Sequence, residues 1–572
     1  MGLLNSALQI GRSALLSYQG ALQVVGNNIS GVASPDYTRL TPELDPLQGS
    51  VLARDIQGGA GVALTDIRRH VDEALENRVR QAVGVEQSTA VVQEALARLE
   101  VLFTDFDGSG LSSRLNTFLH SFDDLQNTPE SSTVRDLAIA NGRLLAEALQ
   151  SSRRQLAQLS ADFDGQIADA VATADELARR IAVLNQEITR AEAGRRSQAT
   201  GLRDQRDGLL RDLGEIVDVT LREQPNGAIN VYIGSEALVQ GNVVRGLVAV
   251  TNVTAEGERT AVRFADSGQD VFLRGGRLAG LINARDRYGD AQIAALDELA
   301  AAIITEVNRI HADGQGLVGF TNVVGSQAAL NGDATFSDAS AGLPFTVSDG
   351  SFYVTVADDA TGTPVAYRIA VQAGSTSLTS LATAINNQVE GVTATVTSDL
   401  RLAVTAEEGF SFTFGYDGQE PRPDTSGVLA ALGINTFFTG TSARDMAVNP
   451  TIVGDPRTVA AATVFQPGDG VNAGRVAALD LSPSQSLGGR TLTEFYNALA
   501  SAVAVAAAEG KDDFQAASSV RASLQSQRES LSGVNLDEEA VSMLKYERAF
   551  QGAARFVGVV DQLLDELVLL IR

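Results

Sequence analysis

Two apolar series, one at each end of the chain, constrain this fold more than any other feature of the sequence. In both series apolar residues recur in alternating steps of three and four, which places them in one narrow stripe along a helix. The C-terminal series comprises Met543, Tyr546, Phe550, Ala553, Val557, Val560, Leu564, Leu567 and Ile571. The N-terminal series comprises Leu4, Leu8, Gly11, Leu15, Tyr18, Leu22, Val25 and Ile29. Because one helix cannot bury its own stripe, each end needs a partner helix, which favours an assembly protein over a catalyst.

The sequence leaves the partner of these two stripes open. The ends can pack on each other, on neighbouring subunits or on both, and ordinary core helices of a globular domain are the simpler alternative. The C-terminal series has no missing position, which favours a coiled coil, whereas Gly11 and Tyr18 weaken the N-terminal series. Gly11 would, however, allow two helices to approach closely. We predict that subunits contact one another through Leu4, Leu8, Leu15, Leu22, Val25, Ile29, Met543, Tyr546, Phe550, Val557, Val560, Leu564, Leu567 and Ile571.

Composition excludes several classes of function. The net charge is −26, which argues against nucleic-acid binding because affinity for phosphates comes from clustered Lys and Arg. The chain has no cysteine, and therefore no disulfide, thiolate metal site or cysteine nucleophile. No apolar run reaches the roughly 18 residues that span a bilayer, so we expect no membrane insertion. Residues 1–20 lack the basic start and continuous apolar core of a secretory signal.

The periodicity of the apolar residues predicts a mainly α protein with β domains. The chain of 572 residues is too long for one core. We expect an elongated multidomain subunit with terminal coiled-coil helices, a long antiparallel helix core and outer β-rich domains. The expected segments are an N-terminal coiled-coil helix with an extended segment (1–65), the first part of a helical rod domain (66–215), a β-rich domain with a return helix (216–315), an inserted β-α-β outer domain (316–445), the second part of the rod domain (446–535) and a C-terminal coiled-coil helix (536–572).

Several elements can be predicted more closely. A long helix is expected from about residue 132 to 196, because apolar residues recur there at helical spacing. Alternation on both sides of Pro225-Asn226-Gly227 predicts a β-hairpin. In the insert, a helix near 376–388 leads into strands. Two further helices are expected at 491–509 and 512–531.

Three patterns that resemble ligand sites are better explained by structure. The segment 105–110 begins like a calcium loop, but Asn116 stands where the bidentate Glu should be. Gly314, Gly316 and Gly319 have dinucleotide-binding spacing, but they follow a helix instead of a strand. The three histidines, His70, His120 and His311, have no local metal-binding spacing. We therefore expect no cofactor, no metal and no catalytic site.

Three motif clusters carry a resemblance to a known family. Asn27-Asn28-Ile29 followed by Tyr37-Thr38-Arg39 resembles the N-terminal motif of the flagellar rod, hook and hook-associated proteins, although Asp36 replaces the usual Gly. The stretch 202–207 and the stretch 534–539 are similar to two further segments of this family, in the right order. Within 316–445, residues 381–394 look like modules inserted in some flagellins. The motif residues that we single out are Asn27, Asn28, Tyr37, Arg39, Asp204, Arg206, Asp207, Asn535, Asp537 and Glu538.

The resemblance implies a structural adaptor that joins the flagellar hook to the filament. It would lie outside the cell, exported without a cleaved signal peptide, and copies would associate in a ring. The implied partners are the hook protein, the second hook–filament junction protein and an export chaperone bound to the C-terminal helices. The resemblance implies no enzymatic activity.

Other functions remain open at this point. The chain could be another axial flagellar protein, such as a flagellin-like subunit or the second junction protein. The N-terminal motif argues against a flagellin, and the long helix at 132–196 argues against a hook protein. A secreted adhesin or enzyme carried on 316–445 is a further alternative, although no zincin or paired-acid motif occurs in that insert.

Overall fold

The computed structural model describes residues 2–34, 37–48, 51–53, 56–57, 59–104, 110–194, 199–254 and 257–570. The chain divides into two compact units, each built from segments that are distant in sequence. Unit 1 comprises Met1–Ala95, Ala161–Arg285 and Glu509–Arg572, and unit 2 comprises Leu96–Ser160 and Asp286–Ala508. Long helices and several small antiparallel sheets make up the chain, which confirms the prediction of a mainly α, multidomain protein with β domains. The finer division into six segments stays a prediction.

Helices account for most of the ordered backbone. The α-helices of the described residues are α1 (Gly2–Gly31), α2 (Glu73–Phe103), α3 (Leu111–Asn127), α4 (Ser132–Glu192), α5 (Thr200–Ile216), α6 (Gly276–Asn283), α7 (Asp290–Ala312), α8 (Leu378–Gln388), α9 (Val428–Leu432), α10 (Pro450–Gly454), α11 (Val471–Ala477), α12 (Leu492–Ser532) and α13 (Leu536–Leu570). A π-helical turn, Ala284–Gly289, separates α6 from α7.

The strands are short and pair antiparallel. They are β1 (Leu40–Pro46), β2 (Val51–Ala53), β3 (Ile56–Gln57), β4 (Val62–Arg69), β5 (Thr220–Glu223), β6 (Ile229–Ile233), β7 (Glu236–Gln240), β8 (Val243–Val244), β9 (Leu247–Thr254), β10 (Gly257–Phe264), β11 (Asn322–Val324), β12 (Gly350–Asp358), β13 (Pro364–Val371), β14 (Val392–Val396), β15 (Leu402–Ala406), β16 (Phe410–Phe414), β17 (Phe438–Thr439) and β18 (Ala447–Val448).

The helix predicted from 132 to 196 is observed as α4, but the break expected between 509 and 512 is absent from α12. Gly510 lies inside α12 without ending it. A glycine costs only about 1 kcal/mol in a helix interior, so good helix formers on both sides of it can carry the helix through.

In unit 1, the first strand after α1 pairs with the strand that leads into α2. Leu40 of β1 lies opposite Arg69 of β4, with one irregularity between Glu43 and Leu44. The four strands β5 to β8 form a meander, and β9 pairs with β10. Gly227 adopts a positive φ of 82° in the β5–β6 turn, as the predicted hairpin requires. This arrangement brings the segment after α1 to the beginning of α2.

In unit 2, the insert forms two three-stranded sheets, in the orders β13-β12-β16 and β11-β15-β14. The helix expected near 376–388 is α8, and its N-terminus has a capping box between Ser377 and Ser380. Alternating residues of β12, among them Phe352 and Val354, are fully buried. Strands β13 and β16 add to the β-α-β pattern expected from the sequence.

Two titratable side chains at the end of α7 are buried in unit 2. His311 is completely buried, and burial lowers its pKa to about 4. Its Nε2 accepts a hydrogen bond from the Ala460 amide (2.9 Å), so its Nδ1 carries the proton and donates to the Asn435 carbonyl (2.8 Å). Burial, with the nearby Asp424, raises the pKa of Asp313 to about 6. The histidine is therefore a packed core residue.

Candidate functional site

The two ends of the chain pack on each other in unit 1. Asn28, near the end of α1, meets Glu539, near the start of α13. Gly11, toward the start of α1, faces Val557 and Phe556 of α13. The two helices therefore run antiparallel along much of their lengths.

The predicted seam residues differ in how far the single chain buries them. Val25 (2% exposed) and Val560 (4% exposed) are fully buried. Ten others are half-buried, namely Leu4, Leu8, Leu15, Tyr18, Leu22, Ile29, Tyr546, Phe550, Val557 and Leu564. Met543 is 41% exposed, and the Leu567 side chain and Ile571 lie outside the described residues. The prediction that these residues contact neighbouring subunits stays a prediction.

Gly11 sets the distance between the two helices, which gives a testable prediction. A Cβ at this position would overlap with Val557 Cγ2, so Gly11→Val should destabilise the α1–α13 pair by about 1–3 kcal/mol. The measurement is hydrogen exchange of α1 and α13 amides in the full-length chain. Gly26→Val is the matched control, since no described atom lies within 4 Å of a Cβ built at Gly26. Val557→Ala should partly rescue Gly11→Val, and equal protection in both glycine variants would contradict the prediction.

A network of polar side chains joins the two helices at the end of α1. The Asn28 amide donates to Glu539 Oε2 (2.9 Å) and to the Leu40 carbonyl (2.8 Å). Asn28 Oδ1 accepts from the Leu40 amide (3.0 Å) and from the Tyr37 hydroxyl (2.9 Å). Asn28 is only 1% exposed, so a buried side chain fixes the path of the chain as it leaves α1.

The Arg39 guanidinium links the same segment to the start of α13. Its Nε donates to Glu539 Oε1 (2.9 Å), and its Nη1 lies 2.7 Å from Glu538 Oε2. The Glu539 side chain is 3% exposed, whereas that of Glu538 is 57% exposed. The Arg39 amide also donates to the carbonyl of Ser532 at the end of α12 (3.1 Å). The buried carboxylate is therefore the centre of this contact.

Arg69, at the end of β4, connects this network to the motif on α5. Its Nε donates to Asp204 Oδ1 (2.9 Å), and its Nη2 lies within hydrogen-bond distance of Asp207 and of the Thr38 hydroxyl. Burial opposes its charge, but Asp207 and Asp204 hold the pKa of Arg69 above its usual value. Burial, together with Asp204 and Glu539, raises the pKa of Tyr37 to about 12. Tyr37 therefore lies near carboxylates of both α5 and α13.

The three motif segments thus converge in one place, which we call the polar cluster. It comprises Asn28, Tyr37, Thr38, Arg39, Arg69, Asp204, Asp207, Glu538 and Glu539. Six of its members were singled out in the sequence. Glu539 and Thr38 were quoted within their motifs but not selected, and Arg69 lay in no motif. Glu539 had a possible signal, because it follows Glu538 at the start of an amphipathic helix, whereas nothing local distinguished Arg69.

The four remaining motif residues lie outside the polar cluster. Arg206 is 1% exposed and donates to Asn185 Oδ1 (3.0 Å) and the Gly227 carbonyl (2.7 Å), which holds the β5–β6 turn against the helices. Burial lowers the pKa of Arg206 to about 10. Asn535 caps α13 by accepting from the Asp537 amide (3.0 Å), and the Asn27 and Asp537 side chains are exposed.

Asn535 and Glu538 have the spacing of a capping box at the start of α13, but this box is formed only in part. Asn535 is the cap, but Glu538 pairs with Arg39, which satisfies its charge better than a backbone amide would.

Ligand sites receive no support from the described residues. No group of three or more His, Asp or Glu side chains there could hold a metal ion. The supposed calcium loop at 105–109 lies outside the described residues. A Cβ at Gly314 would overlap with the Asn472 side chain, and one at Gly316 with the Arg457 carbonyl, so this glycine pattern reflects close backbone packing. None of the described helices is long and apolar enough to cross a bilayer.

Comparison with known proteins agrees with this arrangement. A family model described as the flagellar hook-associated protein FlgK helical domain matches residues 96–325. Models of the flagellin hook IN motif and of the flagellar basal body rod FlgEFG protein C-terminal region match residues 345–408 and 525–569. Flagellar hook-associated protein 1 of Escherichia coli (strain K12) is 27% identical and covers 99% of both chains. The chain is thus similar over its full length to flagellar hook-associated protein 1.

Two further proteins named flagellar hook-associated protein 1 match over at least 97% of their own length. The Salmonella typhimurium protein is 27% identical over 99% of this chain and 100% of its own, and the Bacillus subtilis protein is 23% identical over 98% and 97%. The solved structure of the flagellar hook junction protein FlgK from Burkholderia pseudomallei has a TM-score of 0.53 at 18% identity. It covers 80% of this chain and all of that one, which supports the fold. A structural role in the flagellum is therefore confirmed.

Proposed function

We propose that this protein is a structural adaptor between the flagellar hook and the filament, and that copies pack into a ring through their terminal helices. The observation that carries the proposal is the α1–α13 pair, which joins both ends of the chain in one antiparallel unit anchored by the polar cluster. An adaptor of this kind needs no catalytic site and no cofactor. Full-length similarity to proteins named flagellar hook-associated protein 1 supports the location.

The proposed partners follow from this location. The hook protein lies on one side of the ring and the second hook–filament junction protein on the other. Before assembly, an export chaperone binds the C-terminal helices, and the chain leaves the cell without cleavage of a signal peptide. Support for these partners comes from the motif resemblance, and the exposed apolar residues of α13 are a suitable surface for them.

The surface of α13 offers a specific contact for neighbouring copies. Four large apolar side chains, which we call the outer stripe, are 48–66% exposed in the single chain. They are Val541 (66%), Leu544 (55%), Val559 (54%) and Leu563 (48%). At about 100° per residue they share roughly one third of the helix circumference, on a face turned away from the seam. Since the seam is already occupied by α1, a neighbouring copy would bury the outer stripe.

Charged substitutions in the outer stripe test the proposed function. Leu544→Asp combined with Val559→Asp should reduce the fraction of hooks that carry a filament by about tenfold, because a charge cannot be buried unpaired at a subunit contact. The measurement is electron microscopy of a null strain that expresses each variant. Ala554→Asp, at an exposed position of the same helix about 140° around it from Val559, is the matched control.

Deleting residues 541–572 should lower the fraction of hooks that carry a filament further than the double substitution does. Normal filaments on cells that express only the truncated chain would overturn the proposed function. Normal filaments with the double substitution, but not with the truncation, would instead show that the contact lies elsewhere on the terminal helices.

A further inference from the structure

A second group of arginines lies in unit 1, apart from the terminal helix seam. They line a cleft of about 380 Å³ formed by α2, α5 and α12, which we call the arginine cleft. Its charged lining residues are Arg80, Arg211, Arg521, Arg528, Glu86 and Glu215. With Glu76, which pairs with Arg528 beside the cleft, four guanidinium groups thus face three carboxyl groups, in a chain whose net charge is −26. A local excess of positive charge in so acidic a protein indicates a place for an anion.

Arg521 and Arg528 have carboxylate partners. Arg521 contacts both carboxylate oxygens of Glu86, at 2.8 and 3.2 Å. Arg528 Nε donates to Glu76 Oε1 at 2.6 Å. These pairs tie α12 to α2, and their charges are largely neutralised.

Arg80 is not neutralised in this way. Its Nη2 donates to Asn77 Oδ1 (2.6 Å), but its Nη1 is 3.8 Å from Glu76 Oε2, a carboxylate shared with Arg528. The Arg80 side chain is only 10% exposed, and its Nε is buried without a hydrogen-bond partner among the described residues. A buried N–H group left unpaired is costly, so a partner from outside this unit would stabilise it.

The electrostatic surroundings of Arg80 also favour a partner of negative charge. Burial lowers the pKa of Arg80, Glu76 and Asp207 oppose this, and the like charges of Arg211 and Arg528 lower it further. On the opposite wall, burial and two neighbouring carboxylates raise the pKa of Glu215, which makes it a poor counter-ion. An anion that entered the cleft would relieve the repulsion among the arginines.

We propose that the arginine cleft binds an oxyanion group, a carboxylate or a phosphate, through the guanidinium of Arg80. A planar guanidinium matches the two oxygens of either group, and charge-assisted hydrogen bonds are the strongest that side chains form. The group comes either from an acidic side chain of a second copy or from free inorganic phosphate. This inference goes beyond the proposed function, because the cleft is formed by other helices than those that carry the outer stripe.

The first experiment is calorimetric titration of inorganic phosphate into the full-length chain, at constant ionic strength set with chloride. Phosphate should bind, and Arg80→Gln should weaken its affinity at least about tenfold. Arg78→Gln is the matched control, because it removes the same charge from an exposed position of α2. It should change the affinity less than about twofold, as expected for a screened surface charge. The double substitution in the outer stripe should leave phosphate binding unchanged, so this result is independent of the proposed function.

The second experiment distinguishes the other source of the oxyanion. If phosphate does not bind, self-association of the full-length chain, measured by analytical ultracentrifugation, should be weakened by Arg80→Gln and not by Arg78→Gln. Circular dichroism checks that the variants fold. If Arg80→Gln does not fold, Arg80→Lys decides, since it keeps the charge but loses the planar fork and should still weaken binding several-fold. Absence of both phosphate binding and Arg80-dependent association would show that Arg80 is merely hydrated, and would overturn the proposal.

Discussion

Replacing Glu539 with alanine is expected to destabilise the α1–α13 pair by about 2–4 kcal/mol, because it removes a buried carboxylate that accepts charge-assisted hydrogen bonds from both Arg39 and Asn28. The Glu539 side chain is 3% exposed and accepts hydrogen bonds from Arg39 Nε and Asn28 Nδ2, both at 2.9 Å. Without the carboxylate, Asn28 Nδ2 keeps only one acceptor, the Leu40 carbonyl. The measurement is hydrogen exchange of the amides of α1 and α13 in the full-length chain, which should lose protection together.

Glu538→Ala is a matched control at the neighbouring position. Glu538 pairs with the same arginine at 2.7 Å, but its side chain is 57% exposed. Exposed ion pairs contribute at most about 1 kcal/mol, so its removal should change protection little. Equal effects of the two substitutions would show that burial of Glu539 does not govern this contact, and would contradict the prediction.

His311 and Asp313 should have opposite effects on the stability of unit 2 as the pH changes, so removing one of them should reveal the effect of the other. The pKa of His311 is about 4 when folded and about 6.5 when unfolded, so the unfolded state binds more protons between these values. Stability from His311 is therefore lost as the pH falls from about 6.5 to about 4, by about 3 kcal/mol. Asp313, with a pKa of about 6, acts in the opposite sense: its contribution is present at low pH and is lost as the pH rises from about 4 to about 6.

In the unmodified chain these two contributions nearly cancel between pH 4 and 6. In Asp313→Asn only the histidine remains, so the stability of α7 should fall by about 3 kcal/mol on acidification from pH 6.5 to 4. Asparagine still accepts the hydrogen bond that Asp313 Oδ1 receives from the Asp424 amide. The measurement is hydrogen exchange of the α7 amides during urea unfolding at several pH values. The exposed Asp333→Asn should keep the original profile, and a flat profile in Asp313→Asn would refute the prediction.

The α1–α13 pair also bears on how copies can assemble. Since each terminal helix covers part of the other's stripe, the seam offers a neighbouring copy only its half-buried edges unless the pair opens. Exposed apolar residues remain on the outer face of α13, and Leu16 of α1 is 60% exposed. Assembly through the outer stripe and a seam held within each chain are therefore compatible.

Much of the local structure could be predicted because its causes are local. The spacing of apolar residues predicted α1 and α13, and the turn at Gly227 predicted the β5–β6 hairpin, since helical and strand periodicities are written in neighbouring residues. The continuous α12 was missed, because a single glycine weakens a helix without ending it. Strand β16 was missed because its pairing with β12 joins residues far apart in the chain. Strand β13 was missed although it forms a hairpin with β12, and the alternation of Val365, Tyr367, Ile369 and Val371 was its local signal.

The sequence by itself determined that both ends are amphipathic helices, that three motif segments occur in a fixed order, and that the chain is acidic and has no cysteine. Only the tertiary structure decided which charges meet. It placed Glu539, not the adjacent Glu538, in the buried position, brought Arg69 between Thr38 and the α5 aspartates, and left Arg80 without a full partner. The physical reason is that helix periodicity depends on residues within two turns, whereas a buried ion pair depends on the path of the whole chain.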